Sequence, residues 1–393
     1  MSNDTQPEIR FPGFTDDWEQ RKLGDFVVDY VEKTSVQNQF PMLTSSQQKG
    51  IVLQEDYFAN RQVTTENNIG YFVLPRGYFT FRSRSDNDVF VFNRNDIIDR
   101  GIISYFYPVF TLKSADSDFF LRRINNGIQR QLSIQAEGTG QHVLSLKKFK
   151  NIVAMFPSEE EQQKIGTFFK QLDDTIALHQ RKLDLLKETK KGFLQKMFPE
   201  NGAKVPEVRF PGFTEDWEER KFGLLFEKNL EKNKNSEFDA SRTISIATMH
   251  FKEEGNGAAE SSLATYKVLR VGDIAYEGHT SKQFAFGRFV LNDIGDGIMS
   301  PRFTTLRPTS ERPISFWKQY IHYEPIMRHL LVRSTKNGTM MNELVIPDLE
   351  KESLLVPSES EQKQIGAFFD KLDETITLHQ RKLDLLKETK KGF

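Results

Sequence analysis

The sequence lacks several features that catalytic and metal-binding proteins use. It contains no cysteine, which excludes disulfide bonds, thiolate metal sites and a cysteine nucleophile. It contains neither a Gly-Lys dipeptide nor a Gly-x-Gly-x-x-Gly fingerprint, so the usual P-loop and dinucleotide-binding turn are excluded. Metal-ligand spacing is also missing among the histidines, which are His142, His179, His250, His279, His322, His329 and His379. Nothing in the sequence therefore predicts a catalytic centre, a metal site or a cofactor bound by this chain.

Net charge and long apolar runs are also scarce. The formal net charge is −1 at pH 7, so no global basic field attracts nucleic acid, although a local basic patch is not excluded. No apolar run approaches the roughly 20 residues of a membrane-spanning helix, and the polar start Met1–Pro7 has no signal-peptide core. We therefore expect a soluble cytoplasmic protein without membrane association. Its 393 residues, 37% of them hydrophobic, suffice for two or three domains with cores of their own.

A long amphipathic helix is predicted from Pro157 to Phe198. Ser158 occupies the N-cap position and Glu161 follows three residues later, as in a capping box, and Pro199 ends the segment. Apolar residues recur at alternating steps of four and three, which is the period of a coiled-coil seam. Such a helix would be roughly 55–60 Å long, and its apolar stripe needs a partner to cover it.

The predicted partner is a second copy of the same helix in the same chain. Residues 357–393 repeat residues 157–193, and every difference falls at heptad position b, c or f, away from the seam. We therefore predict an antiparallel coiled coil with pseudo-two-fold symmetry. Its apolar seam is interrupted by four polar residues, which are His179, Lys190, His379 and Lys390. The predicted seam residues are Ile165, Phe169, Leu172, Ile176, His179, Leu183, Leu186 and Phe193 in the first copy and Ile365, Phe369, Leu372, Ile376, His379, Leu383 and Leu386 in the second.

The repeat extends beyond the helices. Pro7–Phe26 returns as Pro206–Phe226, and each copy contains a Pro-Gly turn followed by a threonine. We predict that Thr15 and its counterpart cap a short helix that turns Trp18 and Trp217 inward. The two tryptophans are interpreted as core anchors rather than as stacking platforms.

Between these repeats the two halves diverge, and β-branched and aromatic runs alternate with Gly, Asn, Asp and Pro, which predicts strands in a mixed α+β domain. The predicted strands are Gly70–Leu74, Tyr78–Phe81, Val89–Asn93, Tyr105–Leu112, Arg242–Thr248, Tyr266–Leu269 and Phe284–Leu291. Helical segments are predicted at Phe119–Asn126 and at Ile314–Arg333, the latter split by Pro325. The predicted layout is a globular domain (1–156), a helix (157–198), a second globular domain (199–356) and a second helix (357–393).

Two globular domains, each followed by a helix that opens Pro-Ser-Glu-x-Glu-Gln-x-x-Ile-Gly-x-Phe-Phe, resemble the specificity subunit of type I restriction–modification enzymes. The resemblance covers essentially the whole chain, and its most specific parts are Glu161-Gln162 and Glu361-Gln362 at the helix starts. It implies that each α+β domain is a target recognition domain that reads one half of a split DNA site. The coiled coil would then act as a ruler between the halves. One departure from the repeat is that Met197 has no counterpart after Phe393.

The resemblance also implies a set of partners. These are double-stranded DNA, two methyltransferase subunits that grip the helices, and two restriction subunits that act as translocase and nuclease. S-adenosylmethionine, used for adenine-N6 methylation, and ATP with Mg would be bound by those partner subunits. The chain itself would bind no cofactor and catalyse nothing.

Polar loops between the predicted strands supply the candidate DNA contacts. Arginine supports bidentate reading of guanine and glutamine that of adenine, whereas contact with phosphate or a merely solvated surface accounts for such residues equally well. Thr139 and Thr339 lie next to glycines, where the backbone could approach a phosphate closely, although a plain turn fits them equally well. The candidates in the first domain are Arg82, Ser83, Arg84, Gln129, Arg130, Gln131 and Thr139. Those in the second are His279, Thr280, Ser281, Lys282, Gln283, Lys336, Asn337 and Thr339.

Two other classes of protein fit some of these features. A coiled-coil scaffold with two ligand-binding modules that do not bind DNA would show no salt-dependent DNA binding. An enzyme with dispersed carboxylates would be expected to repeat its catalytic residues at matched positions of the two halves. The divergent middles argue against such an enzyme.

Overall fold

The structure, a computed structural model, describes residues 7–58, 67–138, 141–200, 202–257, 259–338 and 341–392. Its internal contacts divide the chain into two compact units. Unit 1 combines Met1–Leu178 with Leu385–Phe393, and unit 2 is His179–Asp384. Both boundaries fall inside long helices, so each unit contains one globular part together with portions of both helices.

Unit 1 has short strands followed by helices. Its strands are β1 (Glu19–Lys22), β2 (Val27–Tyr30), β3 (Leu43–Ser46), β4 (Gly50–Leu53), β5 (Phe72–Pro75), β6 (Phe79–Phe81), β7 (Arg84–Ser85), β8 (Phe92–Arg94), β9 (Arg100–Ile103), β10 (Val109–Leu112), β11 (His142–Val143) and β12 (Val153–Phe156). Its helices are α1 (Gln54–Tyr57), α2 (Ser117–Asn126), α3 (Gln129–Gln135), α4 (Leu146–Lys150) and the first part of α5 (Glu159–Met197).

A four-stranded antiparallel sheet in the order β2-β10-β6-β8 forms the centre of unit 1. Phenylalanines dominate its buried face, since Phe79, Phe81, Phe92 and Phe110 are at most 1% exposed. Phe149 from α4 stacks on Phe92 with ring centroids 4.6 Å apart. Aromatic side chains favour such a pleated, half-buried surface. This core holds the ends of β6 and β8, and the loops that follow them, in fixed positions.

Unit 2 has a similar order of elements. Its strands are β13 (Glu218–Lys221), β14 (Phe226–Lys228), β15 (Thr243–Ser245), β16 (His250–Lys252), β17 (Lys267–Leu269), β18 (Ile274–Glu277), β19 (Arg288–Leu291), β20 (Gly297–Met299), β21 (Thr304–Pro308), β22 (Thr335–Lys336), β23 (Glu343–Leu344) and β24 (Ser353–Val356). Its helices are α6 (Phe222–Leu225), α7 (Ile314–His322), α8 (Glu324–Ser334), α9 (Ile346–Leu349) and most of α10 (Glu359–Gly392).

The two units share one strand order although their middle sequences differ. The central sheet of unit 2 runs β14-β21-β18-β19, so each strand corresponds to one of β2-β10-β6-β8 in unit 1. The first strand of each unit also pairs with the strand that precedes a long helix, β1 with β12 and β13 with β24. The prediction of one α+β architecture used twice is therefore confirmed.

The prediction of a short helix after Thr15, and of its counterpart in the second half, is wrong. Strands β1 and β13 occupy these segments. A helix of so few residues gains too little hydrogen bonding to offset its nucleation, whereas β12 and β24 offer complete antiparallel partners. The interpretation of the tryptophans holds for Trp217, which is 2% exposed, while Trp18 is half-buried.

Other predicted elements are present with shifted boundaries. The segment Ile314–Arg333 is split into α7 and α8, and Pro325 lies in the first turn of α8, where its missing N–H costs no hydrogen bond. The predicted strand Tyr105–Leu112 is shorter, because β10 begins at Val109 after a turn closed by the Tyr107 N–H and the Ser104 carbonyl. Strand β9 was not predicted. The boundaries shift because a turn inside an apolar run does not change the hydrophobic pattern from which a strand is predicted.

The first long helix starts where the sequence predicts. Helix α5 begins at Glu159, and the Ser158 Oγ accepts a hydrogen bond from the Glu161 backbone N–H at 3.4 Å. The helix ends at Met197, two residues before Pro199. Helix α10 begins at the matching residue of the second copy.

The predicted seam residues of both helices are all buried or half-buried. Leu183 and Leu383, at the middle of the seam, are each 1% exposed. On the outward face, by contrast, Leu185 and Leu385 are 67% and 66% exposed. The apolar stripe therefore faces inward in each helix, as predicted.

Paired side chains show that the helices run in opposite directions. In unit 2, Lys190 Nζ lies 2.7 Å from an oxygen of Asp373, and His179 Nδ1 lies 3.2 Å from His379 Nδ1. In unit 1, Lys390 Nζ lies 2.5 Å from an oxygen of Asp173. Rising numbers on one helix thus meet falling numbers on the other, and the predicted polar breaks are paired. Supercoiling of the two helices into a coiled coil stays a prediction.

Replacing both Leu183 and Leu383 by aspartate should destabilise the protein by several kcal/mol, because each change places a carboxylate in a buried apolar seam. Thermal unfolding followed by circular dichroism measures the effect. The matched control is Leu185→Asp with Leu385→Asp, at exposed positions two residues away, which should shift the melting temperature little. Equal melting temperatures for the two double variants would contradict the seam.

The stability of unit 2 should fall as the pH drops below about 6.5, because the folded protein keeps the His322 ring neutral. Its Nε2 accepts a hydrogen bond from the Leu291 N–H at 3.0 Å, and desolvation of the ring together with the charge of Lys318 lowers the pKa of His322 to about 4. Since the unfolded chain binds this proton near pH 6.5 and the folded chain does not, stability is lost progressively between pH about 6.5 and about 4. Urea unfolding at several pH values, followed by tryptophan fluorescence, measures the loss. In His322→Asn, which keeps an acceptor that does not titrate, the slope over this range should be smaller.

Candidate nucleic-acid interface

A buried ion pair fixes the globular part of each unit to the start of a long helix. Arg10 Nε and Nη2 each donate to one carboxylate oxygen of Glu161 at 2.7 Å, and Glu161 is 0% exposed. Arg209 and Glu361 repeat the arrangement at 2.7 and 2.8 Å, with Glu361 1% exposed. The hydrogen-bonded carboxylate raises the pKa of each arginine above its usual value. In the predicted capping box the Glu161 carboxylate would turn back towards Ser158. The carboxylate is bound to Arg10 instead, so this half of the capping-box prediction is wrong.

The glutamine that follows each of these glutamates is also buried. Gln162 donates through Nε2 to the Pro157 carbonyl at 3.0 Å and accepts through Oε1 from the backbone N–H of Asp116, the N-cap of α2, at 3.2 Å. Gln362 makes the same donation at 2.9 Å and accepts from the indole Nε1 of Trp317 at 2.9 Å. Each glutamine therefore links the start of a long helix to the neighbouring helix of the globular part.

Glycine lets those neighbouring helices touch. A Cβ at Gly166 would lie 3.0 Å from the Phe119 backbone nitrogen, and one at Gly366 would lie 2.8 Å from the Phe316 backbone nitrogen. The start of α2 or α7 thus rests directly on α5 or α10. These contacts attach each globular part to its long helix, and we call them the joint. The joint consists of Arg10, Glu161, Gln162 and Gly166 in unit 1 and of Arg209, Glu361, Gln362 and Gly366 in unit 2.

The loop after β6 carries the first group of candidate DNA contacts. Arg82 and Arg84 are exposed, whereas Ser83 is held by its N–H and Oγ, which donate to the Phe106 carbonyl at 3.1 and 2.7 Å. The Arg84 guanidinium lies over the Phe106 ring, 4.5 Å from its centroid. Burial raises the pKa of Tyr107, and the nearby charge of Arg82 opposes the rise. The loop therefore presents two arginines on an ordered backbone.

A hairpin lies directly beside this loop. Strand β7 pairs with β11 so that Arg84 is opposite Val143. Val143 and Glu137 exchange backbone hydrogen bonds of 3.1 and 2.8 Å. At Gly138 the φ angle is +133° and a Cβ would lie 2.2 Å from a backbone oxygen, so the chain turns where glycine is required. Strand β11, which follows the candidate Thr139 in sequence, is thereby brought next to Arg84.

The glutamines at the start of α3 are engaged within unit 1. Gln129 Nε2 donates to the Asn125 carbonyl at 2.8 Å, and Gln131 Nε2 donates to the Val153 carbonyl at 3.1 Å. A glutamine that reads adenine uses its amide nitrogen and oxygen together, so each would have to release its present acceptor. Arg130 is exposed. The role of these three residues in DNA contact stays a prediction.

The corresponding loop of unit 2 follows β18. His279–Gln283 is exposed throughout, and the loop is closed where the Ser281 N–H donates to the Phe284 carbonyl at 3.1 Å. The Ser281 Oγ accepts from the Phe284 N–H at 3.0 Å. The Arg288 guanidinium lies 5.3 Å from the centroid of the Phe284 ring. A polar loop beside an arginine–aromatic pair is thus common to both units.

Lys336 and Asn337 lie in the equivalent hairpin of unit 2, and both are exposed. Strand β22 pairs with β23, and Lys336 Nζ lies 3.1 Å from an oxygen of Glu343. The Asn342 N–H donates to the Gly278 carbonyl at 2.9 Å, which ties the hairpin to the loop that begins at the next residue.

Each unit thus brings two distant candidate segments together at the end of its central strand. These are residues 82–84 with residues 137–138 and 141–143 in unit 1, and residues 279–283 with residues 335–338 and 341–344 in unit 2. Thr139 and Thr339 lie outside the described residues. Exposed arginine and lysine on ordered loops can bind phosphates or the edges of bases. We call each pair of segments the recognition loops of its unit.

Two features beside the recognition loops were not predicted. Tyr105 is 58% exposed next to Phe106, with ring centroids 4.2 Å apart, and Arg288 lies beside Phe284. The signal for the first was the Tyr-Phe-Tyr run from Tyr105, which the apolar pattern assigned to a strand. Arginine stacked on an aromatic ring is held in place, which suits a contact that must be specific.

The described ranges contain neither a candidate metal site nor a helix that could span a membrane. No group of three or more histidine, aspartate or glutamate side chains there could hold a metal ion. Within the same ranges, no helix combines the length and the apolar character needed to cross a bilayer.

Comparison with known proteins gives one family. The model of the family described as "Type I restriction modification DNA specificity domain" matches the chain twice, at residues 15–188 and 214–388. Each match contains the recognition loops of one half, the joint residues Glu, Gln and Gly, and most of the helix that follows. The two matches together cover well over half of the chain.

Individual relatives are distant. The type I restriction enzyme MjaVIII specificity subunit of Methanocaldococcus jannaschii is 24% identical over 278 residues, which are 66% of this chain and 64% of that protein. The chain thus matches less than two thirds of that relative's length. The S subunit of a type I restriction–modification system from M. genitalium has a TM-score of 0.57 at 10% identity, covering 97% of this chain and 96% of that one. An HsdS subunit from Thermoanaerobacter tengcongensis gives 0.45 at 16%, covering 99% and 97%.

The solved structure from M. genitalium shares the fold, and the family match includes both repeats of this sequence. The chain therefore belongs to the family of type I restriction modification DNA specificity domains.

Proposed function

We propose that this protein is the specificity subunit of a type I restriction–modification complex and reads a DNA site of two halves. Each unit contacts one half through its recognition loops, and the long helices set the number of base pairs between them. The observation that carries the proposal is that both units present polar, basic loops at the same place on one shared architecture. Since the supporting strands correspond while the loop side chains differ, the two halves of the site would differ in sequence.

The chain contributes recognition, and its partners contribute catalysis. Two methyltransferase subunits would carry S-adenosylmethionine and methylate adenine at N6, and two restriction subunits would use ATP with Mg. Support for attachment on the helices comes from apolar side chains on their outer faces. Leu178 and Leu185 are 63% and 67% exposed, and Leu378 and Leu385 are 67% and 66% exposed. Two copies of one exposed apolar face match two copies of one partner.

Arg84→Gln should weaken DNA binding by about 1–3 kcal/mol if Arg84 reads a base. If Arg84 contacts a phosphate instead, the slope of the logarithm of the binding constant against the logarithm of the salt concentration should become shallower by about one. The measurement is fluorescence anisotropy of labelled DNA with the assembled methyltransferase complex at several salt concentrations, together with N6-methyladenine mapping of genomic DNA. Any change in the methylated sequence should be confined to one half-site.

The matched control for this experiment is Arg76→Gln in the same unit. Arg76 is 51% exposed but precedes β6, at the opposite end from the recognition loops. Its replacement should leave affinity and the methylated sequence unchanged. Equal effects of the two substitutions, or a change in both half-sites, would contradict the assignment of these loops. Complete absence of salt-dependent DNA binding would favour the scaffold without nucleic acid.

Insertion of one heptad after Ala177 and one after Thr377 should lengthen the spacer between the half-sites by about three base pairs and leave both half-sites unchanged. Seven helical residues add about 10 Å, and each base pair spans about 3.4 Å. The paired insertion keeps Lys190 opposite Asp373 and Lys390 opposite Asp173, because both helices lengthen together. Methylation mapping reports the spacer.

The control for the paired insertion places the heptad in α5 alone. That variant shifts Lys190 by one heptad relative to Asp373 and should lower the melting temperature. A methylated sequence with an unchanged spacer in the folded, paired variant would refute the role of the helices as a ruler.

A further inference from the structure

Unit 2 carries a group of basic side chains outside its recognition loops. We define the basic patch as Lys228, Lys232, Lys267 and Arg302. Lys228, Lys232 and Arg302 are exposed, whereas Lys267 is half-buried. Over the part of the chain that the structure describes, none of the four forms an ion pair with a carboxylate. Because the whole chain has a formal net charge of −1, this local excess of positive charge is not a general property of its surface.

Two lysines of the basic patch face each other across neighbouring antiparallel segments. Lys232 is directly opposite Lys267. Side chains at such positions lie on the same face with Cβ atoms about 5 Å apart, and like charges there are destabilising. Burial lowers the pKa of Lys267, and the charges of Lys228 and Lys232 lower it further. Lys267 Nζ donates to the Phe303 carbonyl at 2.5 Å, which satisfies a donor without neutralising the charge. An anion bound at this position would relieve the repulsion.

The corresponding position of unit 1 has a different side chain. Lys33 is directly opposite Phe72. The residue after Phe72 and the residue after Lys267 donate matching backbone hydrogen bonds, of 2.9 and 3.1 Å, to the residue before the lysine opposite. The Lys33 ammonium lies 5.6 Å from the centroid of the Phe72 ring, which is a favourable cation–π contact. The shared architecture therefore does not require a second cation at this position.

The basic patch lies at the end of the central sheet from which the recognition loop extends. Strands β18 and β21 are antiparallel, so the loop after β18 and the turn before β21 leave the sheet at the same end. The Phe303 N–H and the Ser300 carbonyl close that turn at 3.3 Å, and Arg302 is exposed on it. Lys267 reaches the same turn through its bond to the Phe303 carbonyl.

The equivalent turn of unit 1 contacts a recognition loop directly. It begins at Ser104, and its Phe106 carbonyl accepts a hydrogen bond from the Ser83 N–H at 3.1 Å. Arg302 occupies the position of Phe106 in the turn of unit 2, two residues after the serine with which each turn begins. By this correspondence the basic patch flanks the recognition loops of unit 2.

The phosphate backbone of DNA is the ligand that this chemistry fits. Duplex DNA carries one negative charge for about every 1.7 Å of its axis, so several neighbouring cations can each meet a phosphate. A lysine ammonium is a point charge on a flexible stem, which suits phosphate better than the directed reading of a base edge. Contacts with phosphate add affinity and fix the position of a protein on the duplex, but they carry no sequence information.

We propose that the basic patch of unit 2 binds the phosphate backbone of DNA beside the half-site that unit 2 reads. The inference rests on the proposed function and adds the residues that hold the duplex. Unit 1 has Phe72 and Phe106 where unit 2 has Lys267 and Arg302, so ionic contact at this place is a property of unit 2. The two units thus hold their half-sites by different chemistry.

The test is DNA binding by the assembled methyltransferase complex with Lys232→Gln. Fluorescence anisotropy is measured over a range of salt concentrations, with a duplex that contains the methylated site and with an unrelated duplex. Loss of one phosphate contact should make the slope of the logarithm of the binding constant against the logarithm of the salt concentration shallower by about 0.9. Affinity should fall by a similar factor for both duplexes, and the methylated sequence should stay the same.

The matched control is Lys221→Gln in the same unit. Lys221 is exposed and precedes β14, which starts at the end of the sheet opposite the recognition loop. Its replacement should leave the slope and the affinity unchanged. Equal slopes for Lys232→Gln, Lys221→Gln and the unsubstituted chain would overturn the assignment of the basic patch.

Reversal of one charge separates DNA contact from a structural role. Lys232→Glu places opposite charges at the paired positions 232 and 267, so the melting temperature should stay the same or rise. DNA binding should nevertheless weaken more than in Lys232→Gln, with a still shallower slope. A lower melting temperature with an unchanged slope would show that Lys232 is structural and refute the proposal.

The same measurements distinguish failure of the basic patch from failure of the proposed function. If the unsubstituted complex showed no salt-dependent DNA binding, the proposed function would fail and the basic patch with it. If that complex methylates a site of two halves but Lys232→Gln keeps its slope, only the basic patch fails. A changed base in the methylated sequence of Lys232→Gln would show base reading and refute the assignment to phosphate.

Discussion

The buried pair of arginine and glutamate at the start of each long helix is the interaction on which the rest of the structure depends. The Glu161 and Glu361 carboxylates are withdrawn from water, and each is matched by both donors of one guanidinium. Removing either partner would leave a buried charge without compensation, which is strongly destabilising, whereas the intact pair fixes geometry. Because this pair, the adjacent glutamine and the close-packed glycine recur in both halves, the two globular parts are attached to their helices in the same way.

A shared attachment allows the recognition loops to differ without loss of the fold. The central sheets have the same strand order, yet unit 1 carries Arg82 and Arg84 after its central strand, while unit 2 carries His279–Gln283. The loops are exposed and contribute little to the cores, whose energy comes from buried phenylalanine, tyrosine and tryptophan. Stability and recognition therefore reside in different residues, which is what two readers of different sequences on one architecture require.

Prediction from the sequence succeeded where a long periodic pattern outweighed local detail. The inward stripe and the exposed positions such as Leu185 follow from the 3.5-residue period, and the helix starts follow from Ser158 and Ser358. It failed over short segments, because the few residues of β1 and β13 adopt the structure that β12 and β24 impose on them. Glu161 was recognised as important, but its partner Arg10 is 151 residues away, and no local rule connects them. Likewise, nothing in the sequence places Phe106 beneath Arg84.

The repeat, the two long helices and the family follow from the amino-acid sequence, because these depend on order and period along the chain. Only the folded structure shows which candidate loops lie together and how the polar residues of the seam are paired. Lys190 appeared as a break in the seam, yet Asp373 on the opposite helix neutralises it. Such outcomes depend on contacts between residues far apart in sequence, and these exist only once burial in the folded chain has fixed their distances.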